Sequence, residues 1–359
     1  MGERWQENRR AFMRALWRSS LDEPYEANIH READIVMGEL EQRLGTPVHL
    51  DDFLLPAFTS RLATLLLGEP LERDSSDMKQ LMPQMEHLEE VDLSSKSTQM
   101  YLKTGKFRRP LEAVSGRTIP NMFKMSTTVQ GVLRGWVTRR REAMQQLDDE
   151  MDQSLMDLFY GGVTSSLSAF EFLCLYLIHD QDIQAKVKAE LDKVVASGIK
   201  ITWANREHLP YTHATLTEAL RLGSVTPSSL PHVATEDVVL EEEYEVPKGA
   251  FVLASIYSLH RDPRFYKDPE VFRPERHLDA SGKCITPKSY RPFGVGERMC
   301  LGYHLTQIEL FLFLTRLLTQ FHIRAEDQAN PPPFDAHMRI VRRLKPFTCV
   351  VEHWNTSGS

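Results

Sequence analysis

Cysteine is scarce in this 359-residue sequence. Only Cys174, Cys284, Cys300 and Cys349 occur, widely spaced and without a CxxC pair. That spacing indicates neither a disulfide framework nor a zinc site, and a reducing compartment fits best. A basic excess is also missing: the formal net charge of -7 argues against a general nucleic-acid binder. No apolar run of membrane-span length is unbroken, since the longest, Leu155 to Ile178, is interrupted by Asp157, Glu171 and a Ser/Thr run and reads as a buried helix. The polar N-terminus, MGERWQENRRAF, has the character of neither a signal peptide nor an anchor, and does not look like a natural beginning. What is present, 42% hydrophobic and 26% charged residues, is the composition of a soluble globular protein with enough apolar material for a core, so one domain over residues 1–359 is expected.

The most informative stretch is PFGVGERMCLG, Pro292 to Gly302. It precedes a run, Leu305 to Phe321, whose apolar residues recur at spacings near 3.6 and predict a helix. Cys300 is therefore expected at a helix N-terminus, where free N–H groups and the helix dipole lower a thiol's pKa and favour a metal-ligating thiolate. Gly294, Gly296 and Gly302 permit turns or close approach of something flat and large. Arg298 adds a permanent charge. A buried free cysteine at a glycine-rich turn is the alternative that these residues leave open.

Along the chain, Trp5 to Trp17 predicts a helix, with Trp5 and Arg9 on one face and Arg10, Arg14 and Arg18 as a basic stripe. Ala33 to Leu67 suggests two helices, ended by Gly68-Glu69-Pro70. Met78, Met82 and Met85 at helical spacing read as packing. Asn121 to Gln146 reads as a long basic helix, and Gln181 to Ala196 as a linking one. Glu218 and Arg221 share a helical face, a common surface arrangement by itself. Val238 to Leu240, Tyr244 to Val246 and Ala250 to Ile256 read as strands set off by Pro247-Lys248-Gly249, and Met338 to Leu344 with Phe347 to Glu352 as a closing hairpin.

Phe293, Gly296, Arg298, Cys300 and Gly302 resemble, position for position, the FxxGxRxCxG haem-binding signature of the cytochrome P-450 family. The resemblance implies a mainly α fold with a small β portion, lacking its N-terminal part and starting near the first haem-contacting helix, and a haem b whose iron is ligated by the Cys300 thiolate. It is similar elsewhere too. Trp5-x-x-x-Arg9 resembles the WxxxR motif, which implies that both contact a haem propionate, as Arg298 and the histidine of Pro231-His232 would. Phe272 to His277 resembles the PERF stretch, whose arginine, here Arg276, joins Glu218 and Arg221 in a structural triad.

FYGGVTSSLS, Phe159 to Ser168, aligns with the oxygen-activation motif [AG]Gx[DE]T[TS]. Gly161 and Gly162 take the small positions, leaving room for dioxygen and a local helix distortion. Thr164 stands at the acid position and Ser165 at the threonine position: Ser165 keeps a hydroxyl, but Thr164 cannot relay a proton as a carboxylate would. Gly161, Val225, Leu230, Ile340 and Val341 would line the substrate pocket. Arg339, where glycine is common, is a further departure. The short connection ahead of Leu155 suggests an internal deletion.

The implied activity is insertion of one oxygen atom from O2 into a lipophilic small molecule (xenobiotic, steroid or fatty acid), with NADPH-derived electrons delivered by NADPH-cytochrome P-450 reductase. Docking would use the Arg10, Arg14 and Arg18 face, which otherwise reads as an ordinary solvated surface. The implied location is the cytoplasmic face of the endoplasmic reticulum membrane. Two alternatives stand beside it: a haem-thiolate isomerase or dehydratase that needs no proton relay, and a truncated, inactive product.

Overall fold

Gly and Pro stops divide the chain into helices long enough to bury one face each. The computed structural model describes residues 3–21, 23–87, 131–132, 135, 138, 149–338 and 340–354. Helix α1 (Glu3–Leu21) is followed by α2 (Glu23–Glu41) and α3 (Asp51–Leu67). Helix α3 ends at Gly68, which takes φ 83° and donates its N–H to Thr64 O, the left-handed stop that glycine makes inexpensive. Helix α4 (Ser76–His87) buries Met78 and Met85 in the core. The basic helix expected over 121–146 lies outside the described residues, apart from residues 131, 132, 135 and 138, which are helical. Five more helices follow: α5 (Asp149–His179), α6 (Gln181–Ala196), α7 (Pro210–Gly223), α8 (Ile256–His260) and α9 (Tyr303–Gln320).

Helix α5 is apolar on nearly all sides from Ser166 to Ile178 because it is surrounded. The stretch Asp157–His179 is long and apolar enough to cross a membrane, yet 83% of its most apolar 18-residue window is buried inside the protein. Phe58 of α3 stacks on Phe313 of α9 with ring centroids 5.0 Å apart, and Phe170 of α5 meets both at 6.2 and 6.0 Å. Each of these fully buried rings contributes about 2–3 kcal/mol of transfer free energy. A buried ion pair, Arg61 Nη2 to Glu309 Oε2 at 2.7 Å, ties α3 to α9 beside them. Helix α7 approaches α5 so closely that a Cβ on Gly223 would lie 3.3 Å from Phe172 Cβ. Its N-terminus is capped by Glu190 of α6, which accepts from the amides of Tyr211 and Thr212, both at 2.8 Å.

The β portion is small. Strand β1 (Pro47–Val48), β6 (Phe321–Arg324) and β9 (Cys349–His353) form an antiparallel sheet ordered β1-β9-β6, with Val48 opposite Cys349 and Phe321 opposite His353. Strand β2 (His232–Val233) pairs with β5 (Phe251–Val252), and β3 (Val238–Leu240) with β4 (Tyr244–Val246). The expected strand from Ala250 to Ile256 is thus shorter, since Ile256 opens α8 with Ser255 as its cap. The closing hairpin is not formed as expected. Strand β8 (Arg343–Leu344) pairs with β7 (Ala336–His337), while β9 joins β1 and β6. Pro346 has no N–H to continue a ladder from β8, and β9 finds its partner in the strand that leaves α9 directly.

Candidate active site

The Cys300 loop is built by two left-handed turns. Gly294 (φ 74°) and Gly296 (φ 72°) occupy backbone that side chains resist, and a Cβ on either would meet nothing within 4 Å. Conformation, then, is what requires glycine at these two positions within the protein itself. Gly294 N–H donates to Arg291 O at 3.0 Å, Met299 N–H to Gly296 O at 3.1 Å, and Cys300 N–H closes the loop onto Phe293 O at 2.9 Å. Helix α9 begins only at Tyr303, capped by Gly302, so the sulfur receives the Gly302 amide and not the full helix end. The thiol is open to solvent on one side and packed into the loop on the other. That packing pushes its pKa above the ordinary thiol value, outweighing the Gly302 hydrogen bond and the charge of Arg9. The expectation of a lowered thiol pKa is corrected accordingly: desolvation wins over the helix end.

Helix α1 crosses this loop. Arg9 Nη2 donates to Met299 O, next to the cysteine. Burial and the nearby Arg298 charge lower the Arg9 pKa, with Cys300 and Glu297 opposing, so Arg9, Arg298 and Cys300 share one electrostatic site. Trp17 sets the helix by an edge contact with His304 at 4.0 Å, and Tyr25 Oη, from α2, donates to Leu305 O at 3.1 Å. Arg10, Arg14 and Arg18 are exposed as a stripe. The Trp5 side chain lies outside the described residues.

Beneath the loop lies a buried charge network. Glu218 accepts from Arg221 Nε and Nη2, both at 2.8 Å, from Arg276 Nε at 2.8 Å and from the Arg273 amide at 3.0 Å, and it bonds to His277 Nε2 at 2.8 Å. Burial alone would raise its pKa. The hydrogen bonds and charges of Arg221 and His277 hold it down at about 2. Arg221 Nη1 also donates to His260 O, and His260 Nε2 accepts the Arg291 amide at 3.0 Å. Burial and the Arg221 charge lower the His260 pKa to about 4, so the ring is neutral and its Nδ1–H faces Ser224 Oγ at 3.1 Å. His260 is therefore the link from the network to the first residue of the cysteine loop. Sequence reasoning missed the roles of it and His277, because a single histidine carries no periodic signal and its distant partners are known only from the fold.

Helix α5 divides its two glycines between two faces. Gly161 is exposed and a Cβ there would meet nothing within 4 Å, whereas a Cβ on Gly162 would lie 2.9 Å from Leu62 Cδ2 of α3. Gly162 serves helix packing, which corrects its expected place beside dioxygen. The expected helix distortion is also absent: α5 runs unbroken, and the hydroxyls of Thr164 and Ser165 donate back to Tyr160 O and Gly161 O at 3.5 and 2.5 Å. Thr164 is buried and Ser165 half-buried. Val225 and Val341 are half-buried, Leu230 and Ile340 exposed, and Arg342 N–H donates to Val225 O at 2.6 Å, bringing two of these segments together. His232 is exposed on β2, its Nδ1 2.8 Å from Leu230 O.

A sequence model described as cytochrome P-450 matches residues 1–147 and 137–351. The chain belongs to the cytochrome P-450 family. Among its relatives, the steroid 17-alpha-hydroxylase/17,20 lyase of Ictalurus punctatus is 38% identical over 205 residues, 56% of this chain and 40% of that protein. The farnesoate epoxidase of Bombyx mori is 36% identical over 211 residues, 59% and 42% of the two chains. Cytochrome P-450 2J2 of Homo sapiens is 28% identical over 345 residues, covering 90% of this chain and 68% of that one. The aligned part is thus about two fifths of the length of the first two.

The residues present fit the haem thiolate that a cytochrome P-450 implies. An accessible thiol holding one amide hydrogen bond stands on a loop whose glycines face open space. Val295, at 62% exposure, and Leu230, at 61%, offer apolar surface of the kind that a macrocycle covers. Exposed Arg298 and His232 provide cationic or hydrogen-bonding groups suited to its carboxylates.

Proposed function

We propose that this cytochrome P-450 chain is part of a haem-thiolate monooxygenase acting on a lipophilic small molecule. The observation that carries the reading is the accessible Cys300 thiol on a loop anchored, through His260 and Arg291, to the Glu218 network. In this reading Cys300 loses its proton on ligating iron, and the Gly302 amide holds the sulfur in its orientation. Arg298, Arg9, His232 and Trp5 bind the propionates, while Phe293 and Gly296 shape the loop against the ring. The haem, when bound, supplies the chemistry of dioxygen reduction and oxygen insertion.

On α5, Ser165 is the residue free to redirect a proton. Its hydroxyl now donates to Gly161 O, and rotation about χ1 would aim it away from the helix toward the open face left by Gly161. Thr164 stands beside it without a carboxylate's capacity to accept and return a proton. Val225, Leu230, Ile340 and Val341 exclude water by apolar contact with the substrate. Electrons come from NADPH through a flavoprotein reductase docked on Arg10, Arg14 and Arg18, at the cytoplasmic face of the endoplasmic reticulum membrane. The test is the reduced carbon monoxide difference spectrum of the haem-loaded chain. The expected red-shifted thiolate band disappears in Cys300→Ala, and its persistence there overturns the assignment.

A second reading, a haem-thiolate isomerase or dehydratase, is favoured by one observation: the turn of α5 from Gly161 to Ser165 offers hydroxyls and no acid. Product formed with stoichiometric consumption of NADPH and O2 rejects it; product formed with neither establishes it.

A further inference from the structure

Arg342 stands where three segments of the proposed pocket cross. It is only 7% exposed. Its N–H donates to Val225 O at 2.6 Å, and its carbonyl accepts the Ser168 hydroxyl, one turn beyond Thr164 and Ser165 on α5, at 2.7 Å. Its guanidinium donates to Gly223 O at 2.6 Å and Leu222 O at 3.2 Å, the last carbonyls of α7, whose negative dipole end offsets the buried charge. The same group lies over the Phe172 ring at 4.4 Å and the Tyr257 ring at 5.4 Å. Arg261, which caps the end of α8, reaches the same helix end, donating to Leu222 O at 2.7 Å with its guanidinium over Tyr257 at 3.7 Å. The next residue, Arg343, pairs with Asp51 at 2.8 Å and Glu171 at 3.3 Å, so the chain is held on both sides of the peptide that follows Ile340 and Val341.

We propose that Arg342 is a positioning residue that sets the width of the pocket, and through it the size of lipophilic molecule accepted. The proposal rests on the monooxygenase reading for the identity of the pocket, but the ties themselves do not. Their partners lie far from Arg342 along the chain, so no local sequence pattern encodes them. Without the guanidinium the main-chain bonds to Val225 and Ser168 would remain, but the α7 terminus would no longer be clamped to the Ile340–Val341 segment. The α9 core, with which it makes none of these ties, would stay in place.

The test uses the full chain with Arg342→Met, which keeps the apolar stem, and Arg342→Lys, which restores charge with fewer donors. In the haem-loaded protein, n-alkylimidazoles from ethyl to dodecyl are titrated and the ligand spectra give the ratio of long-chain to short-chain affinity. That ratio is expected to change by about fivefold or more in Arg342→Met and to return part-way in Arg342→Lys. In the protein without haem, amide exchange should accelerate by about tenfold over residues 224–230 and 340–344 while α9 keeps its protection. An unchanged affinity ratio in haem-loaded protein, or exchange that is unchanged or accelerated uniformly, overturns the proposal. Should Arg342→Met fail to fold, Ser168→Ala, which removes one tie and no charge, is measured the same way. If the wild type takes up no haem, the monooxygenase reading fails, and the exchange pattern alone decides the role of Arg342.

Discussion

Glu218 and Glu171 are both buried glutamates in core helices, and their carboxyls are shifted in opposite directions. Glu218 on α7 accepts from two arginine side chains and a backbone amide and bonds to a histidine, which keeps its carboxyl ionised with a pKa of about 2. Glu171 on α5 has burial against it and the Asp51 carboxyl beside it, and shares Arg343 with that same aspartate. Its pKa is raised well above the ordinary value. The comparison teaches that burial by itself favours the neutral acid, and that the number of donors aimed at a carboxylate decides whether the charge survives. The foundation of the cysteine loop is built from the charged kind. The helix above it is built from neutral contacts and small residues.

The largest effect expected from breaking this difference is at Glu218. Glu218→Gln leaves Arg221 and Arg276 without their counter-charge and should cost about 3–5 kcal/mol in urea unfolding. It should also abolish haem uptake by loosening Arg291 through His260. A cost below about 1 kcal/mol would mean that the network is incidental to the loop.

Acid should erase that difference in a defined order. His260, depressed from 6.5 to about 4, contributes stability that is full above pH 6.5 and lost as pH falls through 4. Glu218, depressed from 4.5 to about 2, contributes stability that is full above pH 4.5 and lost toward pH 2. The stability gap between wild type and His260→Gln should therefore shrink first, and that between wild type and Glu218→Gln second, each by about 3 kcal/mol. Urea unfolding of the three proteins between pH 7 and pH 2 reads the order; gaps that widen as pH falls would reverse the sign.

On α5 the effects are smaller. Gly162→Ala must displace the tip of Leu62 and should cost about 1 kcal/mol or a little more, net of the helix propensity it gains. Gly161→Ala, facing open space, should stabilise the protein without haem by about 0.5–1 kcal/mol. Thermal unfolding of the two variants separates the packing glycine from the one on the open face, and equal shifts would contradict the two-faced reading.

The smallest effect is the sharpest control on the comparison. Because burial and the Asp51 carboxyl raise the Glu171 pKa and so favour its neutral form, Glu171→Gln, which keeps the shape of that form, should cost less than about 1 kcal/mol at neutral pH. A loss matching that of Glu218→Gln would show that Glu171 is ionised and paired after all.

Much of the site is legible along the chain because its residues are close in sequence. The turn glycines, Arg298 and Cys300 fall within ten residues, Glu218 and Arg221 within one helical turn, and Gly68 marks the end of α3 by its own backbone. His260 and His277 are not legible in this way. His260 meets Ser224 36 positions away, and His277 meets Glu218 59 positions away, so neither partner can be inferred from spacing.

The sequence by itself determined which residues are candidates for the chemistry, where most helices stop and that the fold is mainly helical, since these follow from local periodicity, backbone freedom and side-chain type. The tertiary structure alone decided which strand β8 would pair with, which α5 glycine would face a neighbour and in which direction each buried acid would be shifted. Each of those outcomes depends on what stands opposite a residue in space. Hydrogen bonding, close packing and desolvation act across the folded core, where order along the chain no longer sets distance.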